Sequence, residues 1–246
     1  MNLIIDAGNT FMKFYVFDKH KKLIYKNSIL NKELENIIFF KKNVQNLKKN
    51  FFIKNLILSS VVNFDNLFLE FIRNNFKKFV FLDAKTNLPI KNLYKTKGSL
   101  GKDRIAAVVG GNFIFPNKNI LIIDSGTAIT FDFINDKSQY LGGNISLGLE
   151  MRFKALNFFT KKLPHLSKKN FTKLFGNTSE TAIICGVQNS FLFETKTYIS
   201  NFSRKYKDLK IIFTGGETDF FKENLKMEIF IEKNLVGIGL NEILNF

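Results

Sequence analysis

A chain of 246 residues, 45% of them apolar, is long enough to bury a core in one large domain or two smaller ones. Its 37 basic against 21 acidic residues give a net charge of +16, which would suit nucleic acid or an anionic membrane. Only four of the basic residues are Arg (Arg73, Arg104, Arg152 and Arg204), however, and the lysines are dispersed among Asn, Phe and Ile as an AT-rich coding bias disperses them, so neither partner is expected. One cysteine, Cys185, excludes an internal disulfide and a thiolate metal site, the N-terminus has no signal-peptide pattern, and no apolar run approaches the roughly 18 residues of a membrane span; a soluble, cytoplasmic protein is predicted.

Residues 3–18, LIIDAGNTFMKFYVFD, read as a strand, a tight turn and a returning strand. KKLIYKNSIL (21–30) reads as a third strand, and 31–50 as a helix from its apolar spacing and an early Asn-x-x-Glu start. A strand within 53–62, a helix within 63–76 and a strand within 77–83 follow, an α/β pattern. Between 84 and 103 the periodicity is lost around Pro89, Gly98 and Gly101, and a connection of that length inside a compact domain tends to be functional. A buried helix is predicted from 104. Residues 121–136, LIIDSGTAITFDFIND, then repeat the opening phrase, with Asp124 following Asp6 at close to half the chain length. Beyond it the sequence predicts a strand, a Gly-rich turn and a helix across 138–159, a loop with Pro164, and a long helix over 178–206. A strand ended by Gly215 and Gly216, a helix, and a closing strand and helix complete the chain. The expectation is a duplicated α/β fold with halves 1–117 and 118–246, the last helix free to pack back on the first half.

GSLGKD (98–103) has neither the spacing nor the hydroxyl of a P-loop, and neither His20 nor His165 accompanies a nucleophile motif, so Ser/His/Asp hydrolysis has little support. The two bends offer something else. Gly8 and Gly126 let backbone N–H groups approach a phosphate, and Thr10, Thr127 and Thr130 add hydroxyls. Asp6 and Asp124 repel phosphate but can hold a cation that bridges to it. Either bend alone reads as an ordinary hairpin turn; their recurrence in register favours function, and two of them facing across a cleft would grip a polyphosphate from both sides. Asp103 has two compatible readings, a helix N-cap and an acceptor for the proton of an attacking hydroxyl, with Arg104 holding an anionic substrate group. Phe-rich stretches such as 51–57 are expected in the core.

In this order and over essentially the whole chain, DAGNT (6–10), GKDR (101–104), DSGTAIT (124–130), GGNISLGL (142–149) and TGGE (214–217) resemble the type III pantothenate kinases of the acetate/sugar kinase, Hsp70 and actin superfamily. The resemblance implies two RNase H-like halves with ATP in the cleft between them, and phosphorylation of pantothenate to 4′-phosphopantothenate, the first step of coenzyme A biosynthesis. It assigns ATP contacts to Asp6, Ala7, Gly8, Asn9, Thr10, Phe11, Met12, Lys13 and Thr127, with Gly215 and Gly216 near the nucleotide. Asp103 becomes the general base, and Tyr94, Gly101, Lys102 and Arg104 join it in lining the pantothenate site. Asp124 is expected to hold a monovalent cation, K⁺ or NH₄⁺, with Mg²⁺ accompanying ATP. Ser179, or Thr178 beside it, is expected to reach the substrate across a homodimer interface. Two positions depart from the family pattern: Leu147 where Pro is usual, and Glu217 where Asp is commoner. The rival readings are a superfamily kinase acting on another hydroxyl or carboxylate acceptor, and a non-catalytic nucleotide-binding regulatory protein of the same fold.

Overall fold

The computed structural model describes residues 1–30, 37–61, 64, 66–170 and 173–246. They form two compact units, Met1–Ile114 with Leu235–Phe246, and Phe115–Asn234.

The first unit opens with β1 (Asn2–Ala7), β2 (Phe11–Phe17) and β3 (Leu23–Leu30), an antiparallel meander. There follow α1 (Ile37–Phe51), β4 (Asn55–Ser60), α2 (Asn66–Asn75), β5 (Lys78–Phe81), the two-residue β6 (Lys91–Asn92) and α3 (Lys102–Ile114). The predicted start of α1, with its Asn-x-x-Glu pattern, lies outside the described residues. The sheet runs β3-β2-β1-β4-β5, with β4 parallel to both β1 and β5. β1 is buried along its whole length, which is why NLIIDA reads as an apolar run rather than an alternation. On α1, Phe40, Val44 and Leu47 fall at helical spacing and enter the core with Phe14 and Phe68. The Phe40 and Phe68 rings meet edge to face at 4.8 Å. Of the two Phe in the stretch 51–57, Phe51 packs on Tyr25, whereas Phe52 is 81% exposed and lies outside the core that the sequence predicts for it.

The second unit contains β7 (Ile120–Ser125), β8 (Ala128–Ile134), β9 (Gln139–Leu147), α4 (Leu149–Phe159), α5 (Ser179–Lys205), β10 (Lys210–Gly215), α6 (Thr218–Asn224) and β11 (Phe230–Ile231). Its strands run β11-β10-β7-β8-β9, antiparallel across β7-β8-β9 and parallel across β7-β10-β11. Order and polarity repeat those of β5-β4-β1-β2-β3, so the repeated phrase marks a repeated sheet. One local expectation changes. The Gly-rich turn predicted after the strand at 138 is absent, because Gly142 and Gly143 lie inside β9. A Cβ on Gly143 would fall 2.2 Å from the Phe131 carbonyl oxygen and 2.4 Å from Asp132 Oδ1, so this glycine permits close strand approach rather than a turn.

The last helix, α7 (Leu235–Asn245), belongs to the first unit and lies on α3. The crossing is bare backbone: a Cβ on Gly110 would stand 2.4 Å from the Leu235 carbonyl oxygen, and one on Gly239 only 1.8 Å from that of Ala106. Asn2 Nδ2 donates to Asn241 Oδ1 and to Asn245 Oδ1, both at 2.9 Å, which ties β1 to the same helix.

Candidate active site

In the first unit the chain leaves β1 at Asp6 and Ala7, turns through Gly8, Asn9 and Thr10, and re-enters the sheet at Phe11. The Gly8 N–H closes the turn on the Phe11 carbonyl at 3.0 Å. Asn9, Thr10 and Phe11 are exposed and Gly8 is half-buried, so the bend presents itself to solvent. Ala7 and Met12 do not: both side chains sit in the core, leaving only their backbone to meet a ligand. Asp6 is 7% exposed, accepts a hydrogen bond from Ser59 Oγ at 3.2 Å, and faces Lys13 across the β1–β2 pair. Burial pushes its carboxyl up to about 6; Lys13 opposes that shift, the negative charge of Asp103 adds to it, and Ser59 opposes it.

The loop before α3 brings the second group of expected residues together. Asp103 lies in the first turn of α3, exposed, two residues past the N-cap position at Gly101, and its Oδ1 accepts the Arg104 N–H at 2.8 Å. Gly101 leaves that carboxylate its position, since a Cβ there would stand 2.6 Å from the same oxygen and displace it. Arg104 is 5% exposed, and its guanidinium lies 5.6 Å from the Tyr94 ring centroid, a cation–π contact that fixes the pair. Lys102, expected beside the substrate, turns elsewhere. Its Nζ donates to the Ser60 carbonyl at 2.9 Å and sits 4.5 Å from the Phe81 ring, and burial lowers its pKa against the opposing effect of Asp83. It ties the α3 start to the end of β4. Ser59 and Ser60 escape a reading of the sequence in windows; the signal is the serine pair that ends β4, meaningful only once β4 is known to lie beside β1.

The second unit builds its bend similarly. Asp124 and Ser125 end β7, Gly126 and Thr127 form the exposed tip, and the Gly126 N–H closes on the Ala128 carbonyl at 2.9 Å. The Thr127 carbonyl accepts the Gly148 N–H at 3.1 Å, so the start of α4 docks on the bend with Leu147 where the resemblance leads one to expect Pro. Gly215 has φ +91°, and a Cβ there would stand 2.3 Å from the Ser125 carbonyl oxygen and 2.6 Å from Asp124 Oδ1. This cradle of hard oxygen donors suits an alkali cation. A Cβ on Gly216 would meet nothing within 4 Å beyond its chain neighbours. Among the described residues no three His, Cys, Asp or Glu converge on a metal position, and the carboxylate of Asp6 feels the negative charge of Asp103.

Thr178 and Ser179 separate by role. Thr178 caps α5, its Oγ1 accepting the Thr181 N–H at 3.2 Å in a capping box. Ser179 lines a groove of about 810 Å³ between α4 and α5, with Leu147, Leu156, Ile183 and Val187.

Residues 2–201 match the model of the type III pantothenate kinase family. The type III pantothenate kinase of Christiangramia forsetii is 43% identical over 247 residues, covering 100% of this chain and 98% of that one. In fold, the chain superposes on a Campylobacter jejuni protein proposed to be a Baf family transcriptional activator (TM-score 0.62, 21% identity, 99% and 97% of the two chains). It also superposes on a glucokinase from an Antarctic psychrotroph (TM-score 0.52, 15% identity, 99% and 98%). Family match and full-length identity agree with the order of the bends and the Gly-x-Asp-Arg turn: this chain belongs to the type III pantothenate kinase family.

Proposed function

We infer that this chain transfers the γ-phosphoryl group of ATP to pantothenate, giving 4′-phosphopantothenate and ADP as the opening step of coenzyme A biosynthesis. The observation that carries the site assignment is the first turn of α3, where an exposed carboxylate, Asp103, adjoins the buried Arg104, whose guanidinium lies over the Tyr94 ring. In this reading Asp103 accepts the proton of the pantothenate primary hydroxyl as its oxygen attacks the γ-phosphorus, and the bond to the ADP oxygen breaks in line. Arg104 holds the pantothenate carboxylate, and Tyr94 keeps the guanidinium in place. The backbone N–H groups of Asn9 and Thr10 and the Thr10 hydroxyl, on the exposed part of the bend, with the Lys13 ammonium, take phosphate oxygens where Gly8 leaves room for close approach; Thr127 does the same from its own bend.

Asp6, beside Asp103, would hold Mg²⁺, and Asp124, beside the Gly215 cradle, a monovalent cation, K⁺ or NH₄⁺. Such ions supply positive charge against the charge of the phosphates. Ser179, free of the capping role that Thr178 fills, is the candidate for a substrate contact from a second copy. A homodimer over the groove beside it also accounts for the exposure of Phe158 and Phe159, 81% each. No helix among the described residues is long and apolar enough to cross a membrane, and a cytoplasmic location belongs to the same proposal. The test is ADP release measured with and without pantothenate, and with and without K⁺. Release that ignores pantothenate would refute the reaction; release that requires pantothenate but ignores K⁺ would refute the cation assignment alone.

A further inference from the structure

At one register position the two bends differ in chemistry. Across β4, β1 and β2 the row reads Ser59, Asp6, Lys13; across β10, β7 and β8 it reads Thr214, Asp124, Thr130. Register partners on neighbouring strands point to the same face, with Cβ atoms about 5 Å apart. Thr130 therefore stands beside Asp124 as Lys13 stands beside Asp6. Lys13 brings a positive charge that offsets the burial of its carboxylate. Thr130 brings only a hydroxyl. That residue is 9% exposed, and its Oγ1 has no hydrogen-bond partner among the described residues. A buried hydroxyl without a partner is costly enough to call for a reason. Ser125 Oγ is also unpartnered, but strand alternation turns it to the opposite face, with Leu121 and Ile123 of the core.

We propose that the Thr130 hydroxyl oxygen is a second protein ligand, with the Asp124 carboxylate, of a monovalent cation that stands in the second unit where the Lys13 ammonium stands in the first. Hydroxyl and carboxylate oxygens are suitable donors for it. The inference deepens the proposed cation site at Asp124 and rests on that reading.

Thermal unfolding in MgATP without pantothenate tests the site without turnover, with KCl exchanged for choline chloride at constant ionic strength so that screening does not change. The wild-type Tm is expected to rise with K⁺. Thr130→Val keeps the side-chain shape and removes only the hydroxyl. It should fold with no loss of Tm in choline, and should need about tenfold more K⁺, or more, for the same rise. Thr130→Ser, which restores the oxygen, should return the K⁺ midpoint close to that of the wild type. An unchanged midpoint in Thr130→Val overturns the role of Thr130 and leaves the cation at Asp124 standing. A Thr130→Val chain that no longer folds, while Thr130→Ser does, also overturns it, because the hydroxyl would then serve the fold. A K⁺ response absent from the wild type, or retained in Asp124→Asn, overturns the cation reading and this inference together.

Discussion

Asp6 and Asp124 end equivalent central strands, each flanked by a parallel and an antiparallel neighbour in the same register, yet their surroundings diverge. Asp6 is almost fully buried, is hydrogen-bonded by Ser59, and has a lysine opposite and a second carboxylate nearby. Asp124 is half-buried and opposite a threonine, and a Cβ on Gly215 would stand 2.6 Å from its Oδ1. Duplication has kept the scaffold and varied the counter-charge. In the reading proposed above, one bend carries its cation as a side chain and the other takes one from solution. A half with a built-in charge responds to pH through its carboxylates, whereas a half with a recruited charge responds to the salt around it.

The comparison breaks most visibly at Asp103, which acts electrostatically on the first bend. Asp103→Asn should lower kcat by about 10² or more while calorimetric binding of MgATP is retained. Near-normal turnover in a coupled ADP assay would remove it as the base.

Asp6→Asn comes next. The folded-state pKa of Asp6 is raised to about 6 from 3.8, so the native state holds this proton more tightly than the unfolded chain does. Below the unfolded value both states are protonated and nothing is lost. As pH rises from about 4 to about 6 the unfolded chain ionises first, and stability falls by about 3 kcal/mol, then levels off. In chemical denaturation without ligand, Asp6→Asn should therefore be more stable than wild type by up to about 3 kcal/mol at pH 7.5 and equal to it near pH 3.5. A constant difference across that range would show that burial of the charge is not the cause.

Smaller effects sharpen the contrast. Thr130→Lys gives the second bend the residue type of the first; the K⁺-dependent rise in Tm should vanish, with a gain of about 1 kcal/mol in K⁺-free buffer. Persistence of the K⁺ response would separate the two rows. Ser125→Ala installs the residue that the first bend has at Ala7 and deletes a buried hydroxyl without a partner, which should stabilise the chain by about 1 kcal/mol or less in urea denaturation.

Much of this architecture is written locally. The two hairpins, the buried helix from 104 and the long helix from Thr178 follow from periodicity and capping chemistry within windows of a few residues. The Asp103–Arg104–Tyr94 group can be expected from the motif order. What windows miss depends on pairing distant segments. The Ser59 hydroxyl matters only because β4 lies beside β1, and Lys102 belongs to a suggestive motif while its side chain reaches the end of β4. Gly143 resembles a turn residue until β8 is seen against it. Thr130 reads as an ordinary strand threonine until the register sets it opposite Asp124.

The bare crossing of α3 with α7 has a consequence for biogenesis. The half that bears Asp6 and Asp103 is translated early, but the backbone surface that closes over Gly110, and the amides that secure Asn2, come from residues 235–246. On the ribosome this half must therefore wait, incomplete, until the other has been made. A nonsense codon near 235 would cripple the part of the molecule furthest from it in sequence.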